Sequence, residues 1–155
     1  MTIAEIVGIY AAIIASILAI KEIYLIITKL KVSYTFFYKF VTDNFGNQVG
    51  PGEYVLSLEL VNQGKTKRII KGLHAKLPKK VNNMQAISIM TPGKYPVTLN
   101  EGEVFQKEIS LVQFLNAIKK YNLDDEKSIK FVFHDTIGKK YYTKGIKIKT
   151  IKEFA

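Results

Sequence analysis

Two histidines, His74 and His134, and one acidic run, Asp124-Asp125-Glu126, are the residues of this 155-residue chain best suited to proton transfer or metal binding. His134 is followed directly by Asp135, an order that suggests a base oriented by a carboxylate. Strand alternation argues against that pair, because adjacent strand residues point to opposite faces, and Asp135 suits the first position of a turn. Both histidines fall on the outward register of their strands, which predicts exposed surface residues rather than ligands or bases. The acidic run lacks the alternating spacing and the turn glycine of a calcium loop, so a solvated loop is expected. With no Cys, thiolate metal sites, Cys nucleophiles and disulfides are excluded. No Ser sits in a nucleophile elbow, and no zincin, P-loop or dinucleotide fingerprint occurs. The expectation is a non-enzymatic chain with no catalytic, cofactor-binding or metal-binding residues and no small-molecule substrate.

Charge raises a different chemistry. The formal net charge is +10; Glu5, Lys21 and Glu22 together contribute −1, so the part from Lys29 onward carries +11. Such a value points to polyanions, yet Arg68 is the single arginine among 23 basic residues. Arginine is the fork that reads bases and phosphates, and no nucleic acid is expected. Tyr34, Phe36, Tyr38 and Phe40 could form a stacking platform, but on one strand face they read as core; Tyr141-Tyr142 after Lys139-Lys140 is the more exposed candidate. The lysines read as a solvated surface that, beside a membrane, attracts anionic headgroups.

The element that would place them there is the N-terminus. Ile6 to Ile20 is fifteen residues without a charge, and the apolar character resumes at Ile23 after Lys21-Glu22. As a helix, Ile3 to Thr28 would be about 39 Å long, and the uncharged part about 22 Å, short of the ~30 Å hydrocarbon core. Lys21 can snorkel its ammonium so that the following turn completes the span. Residues 6–20 offer no polar face for a surface-lying helix. The early Glu5 and the missing small-x-small site before Lys21 do not suit a cleaved signal peptide. A retained single span over residues 1–30 is expected, followed by one domain over residues 31–155. Lys21, Lys29 and Lys31 form a basic membrane-surface cluster on the C-terminal side, which by the positive-inside rule puts the domain in the cytoplasm of a cell membrane. Gly8, Ala12 and Ser16 recur every four residues, as do Ala11, Ala15 and Ala19. Such ridges let helices approach closely in lipid, so the expected partners are the bilayer and a protein, or a second copy met through the span. The stripe Ile20, Ile23, Tyr24, Ile27 and Leu30 should dock on the domain or on a partner. No Gly, Ser or Pro linker lies in Thr28 to Lys31, which predicts that the domain is not flexibly tethered.

The domain reads as mainly β. Lys31 to Val41 alternates with Val32, Tyr34, Phe36, Tyr38 and Phe40 on one face. A turn-rich loop, Asp43 to Gly52, precedes a second strand with Leu56, Leu58 and Leu60 inward. Thr66 to Leu77 is a third, with Ile69, Leu73, Ala75 and Leu77 inward and Pro78 as its stop. Gln85 to Met90, a short Val97 to Leu99 and Glu103 to Ser110 follow, with Thr91-Pro92-Gly93 as a turn. Leu111, Phe114, Leu115, Ile118 and Tyr121 then repeat as a helix, with Ser110 and Gln113 as its capping box and Asn122 as its close. Ser128 to His134 is a strong strand with Ile129, Phe131 and Phe133 inward. Asp135 to Gly138 is a hairpin turn, and Lys139 to Ile151 the last strand, with a bulge at Gly145 and an edge blunted by Lys147 and Lys149. Seven or so strands with regular turn signals predict an antiparallel immunoglobulin-like β-sandwich with one short inserted helix.

Two resemblances follow from these segments. EIVGIYAAIIASILAIKEIY, then a Lys-rich strand, then LVNQGKTKRIIKGL and FHDTIGKKYYTK, resembles a loose class of uncharacterised bacterial proteins with one N-terminal span and a cytoplasmic immunoglobulin-like β-sandwich. That resemblance implies topology and no chemistry. Met1-Thr2-Ile3-Ala4-Glu5-Ile6 and the apolar run are similar to the mature N-terminus of type IV pilins. There an acid at the fifth place pairs with a neighbour's N-terminal amine, a role that would fall to Glu5. The chain departs from that pattern in the absence of a leader before Met1, in the early Lys21-Glu22, in having no Cys pair, and in lacking an Asn-x-Ser/Thr sequon in the domain.

Overall fold

The computed structural model describes residues 2–26, 30–40, 42–81, 83–89 and 94–154, and the side chains of these except 24–26. Lys29, Ile27, Thr28, Val41, Met90 and the Thr91-Pro92-Gly93 turn lie outside the described residues, as does the side chain of Tyr24.

Helix α1 (Ile3–Ile26) has 24 residues, about 36 Å at the rise of an α-helix. It starts at a capping box. The Thr2 N–H donates to the Glu5 carboxylate at 2.8 Å, and the Glu5 N–H donates to the Thr2 hydroxyl at 3.3 Å. Two of the orphan donors of the first turn are thereby satisfied.

Among the described residues, nine strands follow. β1 (Leu30–Lys39), β2 (Glu53–Asn62) and β6 (Val104–Ser110) form a three-stranded antiparallel sheet in the order β1-β2-β6. The second sheet has the order β4-β3-β7-β8, from β3 (Arg68–Val81), β4 (Met84–Ser88), β7 (Ser128–Asp135) and β8 (Lys140–Tyr142). β5 (Val97–Leu99) extends it on β3 and β9 (Ile146–Lys147) on β7. Helices α2 (Leu111–Lys119) and α3 (Ile148–Glu153) close the rest. The protein is thus mainly β and antiparallel, a sandwich-like domain behind an apolar helix.

Alternation explains the core between the sheets. Leu56, Leu58 and Leu60 of β2 are fully buried and share one face, and Phe131 and Phe133 of β7 answer from the other sheet. Phe105 of β6 meets Phe133 edge-on at 6.2 Å, a contact between the two sheets. The expected cap of α2 is present: the Ser110 hydroxyl accepts the Gln113 N–H. Asn122 follows the helix in the left-handed region at φ 44°.

Several boundaries differ from the expectation. β3 runs through Pro78 to Val81. Pro78 lies past Lys76, where both the β7 and the regular β4 pairing stop, so its missing N–H costs the ladder nothing. The inward set of β3 is Ile70, Leu73, Ala75 and Leu77, not Ile69, because a register shift between Ile70 and Gly72 flips the alternation there. On β1 only Val32, Tyr34 and Phe36 of the aromatic face pack on the core; Tyr38 and Phe40 are exposed. They meet each other edge-on at 5.0 Å, whereas Phe36 is covered by Phe154, stacked on it at 4.8 Å. The last strand is broken into β8 and β9 and gives way to α3, so among the described residues the domain has two short helices rather than one. Ile148 and Ile151, three apart, are both buried on α3, and Lys149 therefore belongs to a helix and not to a strand edge. Gly145 sits at the break, where a Cβ would come within 3.0 Å of Ser128 Cβ.

Candidate functional site

α1 is the most unusual surface of the molecule. Ile3–Ile23 is long and apolar enough to cross a membrane, and none of it is buried in the chain. A cylinder of this size is far larger than the few hundred Å² of contiguous apolar surface that water-soluble monomers expose. The Ser16 hydroxyl donates to the Ala12 carbonyl at 2.8 Å, so the one hydroxyl of the helix centre needs no external partner. Gly8, Ala11, Ala12, Ala15, Ser16 and Ala19 are all exposed, and a Cβ on Gly8 would meet nothing within 4 Å. Among the described residues, no contact within the chain buries these ridges. Ile20 and Ile23 of the expected docking stripe are exposed as well, whereas Leu30 packs against the core. Lys21 and Lys31 are exposed, and Glu22 forms an ion pair at 3.6 Å with Lys65 in the β2–β3 turn.

The outer face of the second sheet brings the two histidines together. His74 on β3 and His134 on β7 are diagonal neighbours, since His74 lies opposite Val132 and His134 opposite Gly72. His134 Nε2 is 2.6 Å from His74 Nδ1. They are half-buried and paired, not independent surface residues as expected. The pair floors a shallow depression of about 370 Å³ whose rim includes Lys71, Ala86 and Ser88. The rows sharing this face place Lys76 beside Lys130, and His134 beside Lys140. Burial, then His134, Lys140 and Lys76, pull the His74 imidazole from 6.5 down to about 4. Burial, then Lys140 and Lys71, lower His134 as well, against a weaker opposing pull from Asp135. One neutral ring donates and the other accepts; two imidazolium rings have no acceptor between them.

Those depressed values have a consequence for stability. The folded chain binds fewer protons than the unfolded one below about pH 6.5, so the contribution is complete above 6.5 and is lost as pH falls toward 4. The urea midpoint of the full chain in detergent micelles should therefore fall between pH 7 and pH 5, and His74→Gln should flatten that fall. Asp43, Glu103 and Glu126 are held below their ordinary values of 3.8, 4.5 and 4.5, so their contributions are lost only at lower pH. A midpoint constant from pH 7 to 5 would contradict the pairing.

Asp135 has no part in a dyad with His134. It is 1% exposed and turns to the inner face. Its carboxylate accepts the N–H of Ile137 at 3.1 Å and of Lys139 at 2.7 Å, and the Tyr141 hydroxyl at 3.0 Å. The Arg68 guanidinium stands 3.9 Å away. Burial and the Asp135 hydrogen bond push the Tyr141 hydroxyl up to about 12. The single arginine is thus spent on an internal ion pair. Sequence reasoning placed Asp135 in a turn but missed this network, whose members are spread from Arg68 to Tyr141.

The acidic run is committed elsewhere. Glu126 pairs with Lys147 at 2.8 Å and Asp125 with Lys152 at 2.6 Å, and the Asp124 carboxylate accepts the Glu126 N–H. The run clamps α3 to the start of β7. Among the described residues no group of three or more His, Cys, Asp or Glu could hold a metal ion. A second cleft, of about 290 Å³, lies between α2 and α3, lined by Leu115, Ile118, Lys119, Leu123 and Lys152 among others, and has no titratable pair suited to proton transfer. Of the exposed-aromatic candidates, Tyr142 is exposed and Tyr141 is buried. No protein-family model and no curated protein matches the chain.

Proposed function

We propose that the protein is a membrane-anchored, non-enzymatic interaction module: α1 crosses a cell membrane once, and the β-domain, of immunoglobulin-like type and on the cytoplasmic side, presents its surface to a protein partner. The observation that carries this reading is that Ile3–Ile23 is long and apolar enough to cross a membrane and is not buried against the described residues of the chain. Its small-residue ridges supply a face for a second span or a partner helix. The basic outer face around His74 and His134 suits an acidic protein partner, since its cations are lysines such as Lys71, Lys76, Lys130 and Lys140, without an arginine fork. The separation of His134 and Asp135 onto opposite faces supports a binding role over hydrolysis.

The chain should remain with membranes through alkaline carbonate extraction and should float with lipid. Placing two lysines at the middle of the span, as in Ile13→Lys with Ile14→Lys, costs roughly 5–7 kcal/mol of insertion free energy and should release it. Extraction of the unaltered chain by carbonate would end the anchor reading. In the filament reading Glu5 pairs with a neighbouring copy. Within the chain its carboxylate already accepts the Thr2 N–H, so Glu5→Ala should shorten helix protection at the N-terminus and leave membrane retention intact; loss of a high-order assembly would instead favour a pilin-like subunit.

A further inference from the structure

The end of the β-domain nearest the span is fixed by covalent reach. Ile26 ends α1 and Leu30 opens β1, so four peptide steps, about 14 Å at full extension, are the longest separation the chain permits. Leu30 pairs with Asn62, Val61 with Val104, Arg68 with Leu99, and Ile70 with Asp135. The β2–β3, β5–β6 and β7–β8 turns therefore gather at the same end as Leu30. Asn62 ties two of them, donating through its amide to the carbonyls of Thr66 and Leu99 and accepting the Gly102 N–H on its own carbonyl. The Thr136 N–H binds the third turn to the Ile69 carbonyl. The Glu22–Lys65 ion pair joins this end to the last turns of α1.

These turns carry an exposed apolar tip among lysines. Ile137 is 70% exposed, yet its turn is held rigid by the buried Asp135 carboxylate, which accepts the backbone N–H on either side of Gly138. Lys139, Lys65 and Lys67 are exposed at the same end. The opposing charges there are Glu22, ion-paired with Lys65 at 3.6 Å, Glu101 and Glu103, the last bonded to Asn100 through both backbone and side chain. A rigid turn with an isoleucine at its tip and ammonium groups beside it matches the acyl–headgroup boundary, where apolar groups enter and cations stay with the phosphates.

We propose that this end of the domain rests on the bilayer surface, with Ile137 entering the interface and Lys65, Lys67 and Lys139 on anionic headgroups. The inference rests on α1 spanning the membrane, and its test separates the two. The chain has no Cys, so Ile137→Cys and Phe45→Cys each create one labelling site; Phe45, 90% exposed, lies in the β1–β2 loop at the opposite end. Each full-length variant carries an NBD label and is reconstituted into phosphatidylcholine vesicles with and without phosphatidylglycerol. The label at 137 should be blue-shifted and quenched by nitroxide-bearing lipid several-fold more than the label at 45. Quenching should weaken without phosphatidylglycerol or after Lys65→Glu, Lys67→Glu and Lys139→Glu. Equal quenching at 137 and 45 in vesicles that float overturns the surface contact alone. Insensitivity to phosphatidylglycerol overturns the role of the lysines. A chain that does not float with the vesicles overturns both this contact and the anchor.

Discussion

Asp135→Ala should destabilise the β-domain by about 3–5 kcal/mol, the range for removing one partner of a buried ion pair. The loss is large because one carboxylate serves four groups. Two turn N–H groups and the Tyr141 hydroxyl lose their acceptor, and Arg68 is left charged and largely buried. Arg68 has little to fall back on, since its Nε is already buried without a hydrogen-bond partner. A small domain has roughly 5–15 kcal/mol in total, so the variant should sit near its unfolding midpoint in mild urea. Asp135→Asn keeps an acceptor for part of the set and should fall between the two. Circular dichroism of the full chain in micelles, titrated with urea, reads both; a midpoint within error of the parent protein would refute the network's importance.

Asn62→Ala should cost roughly 2–3 kcal/mol, on the basis of about 1 kcal/mol for each lost hydrogen bond with an added penalty for buried groups left unpaired. Its side chain is fully buried at the end of β2. The amide donates to two carbonyls, those of Thr66 and Leu99, and its oxygen accepts the Gly64 N–H at 3.1 Å. Leu99 belongs to the second sheet and Asn62 to the first, so this one residue holds the sheets together at the end where the chain enters. Amide hydrogen exchange should accelerate first in residues 63–67 and 97–103. Uniform exchange across the domain would show that Asn62 is not a local fastener.

Much of this architecture is legible in the sequence, and the exceptions are physical. β1, β2 and β7 declare themselves because a half-buried strand alternates, and their register follows from Leu56, Leu58 and Leu60 having to face inward. The apolar N-terminal helix declares itself by composition alone. The shift on β3 does not, because Ile69 and Ile70 are both apolar and either could face the core. Ile146-Lys147-Ile148-Lys149 reads as a strand, but Ile148 and Ile151 also satisfy helical spacing, and packing chose the helix for that half. The outward register of His74 and His134 was readable; their contact was not, because it depends on β3 and β7 being neighbours in one particular register. The same holds for Arg68 and Asp135, 67 positions apart. Charge count flagged the arginine as solitary without showing that it points inward.

In the proposed anchored state, the short step in sequence from Ile26 to Leu30 has a mechanical consequence. Tension on the anchor enters the domain at Leu30, the first residue of a ten-residue strand paired along its whole length with β2. A partner pulling on the distal loops, away from the bilayer, would load that ladder parallel to the strands. All its rungs would then resist together, and the sheet would bear far more force than if they opened in succession from one end. A cargo gripped at the distal end would therefore be held by that ladder in shear, whereas one gripped near Asn62, the residue paired with Leu30, would open it one rung at a time.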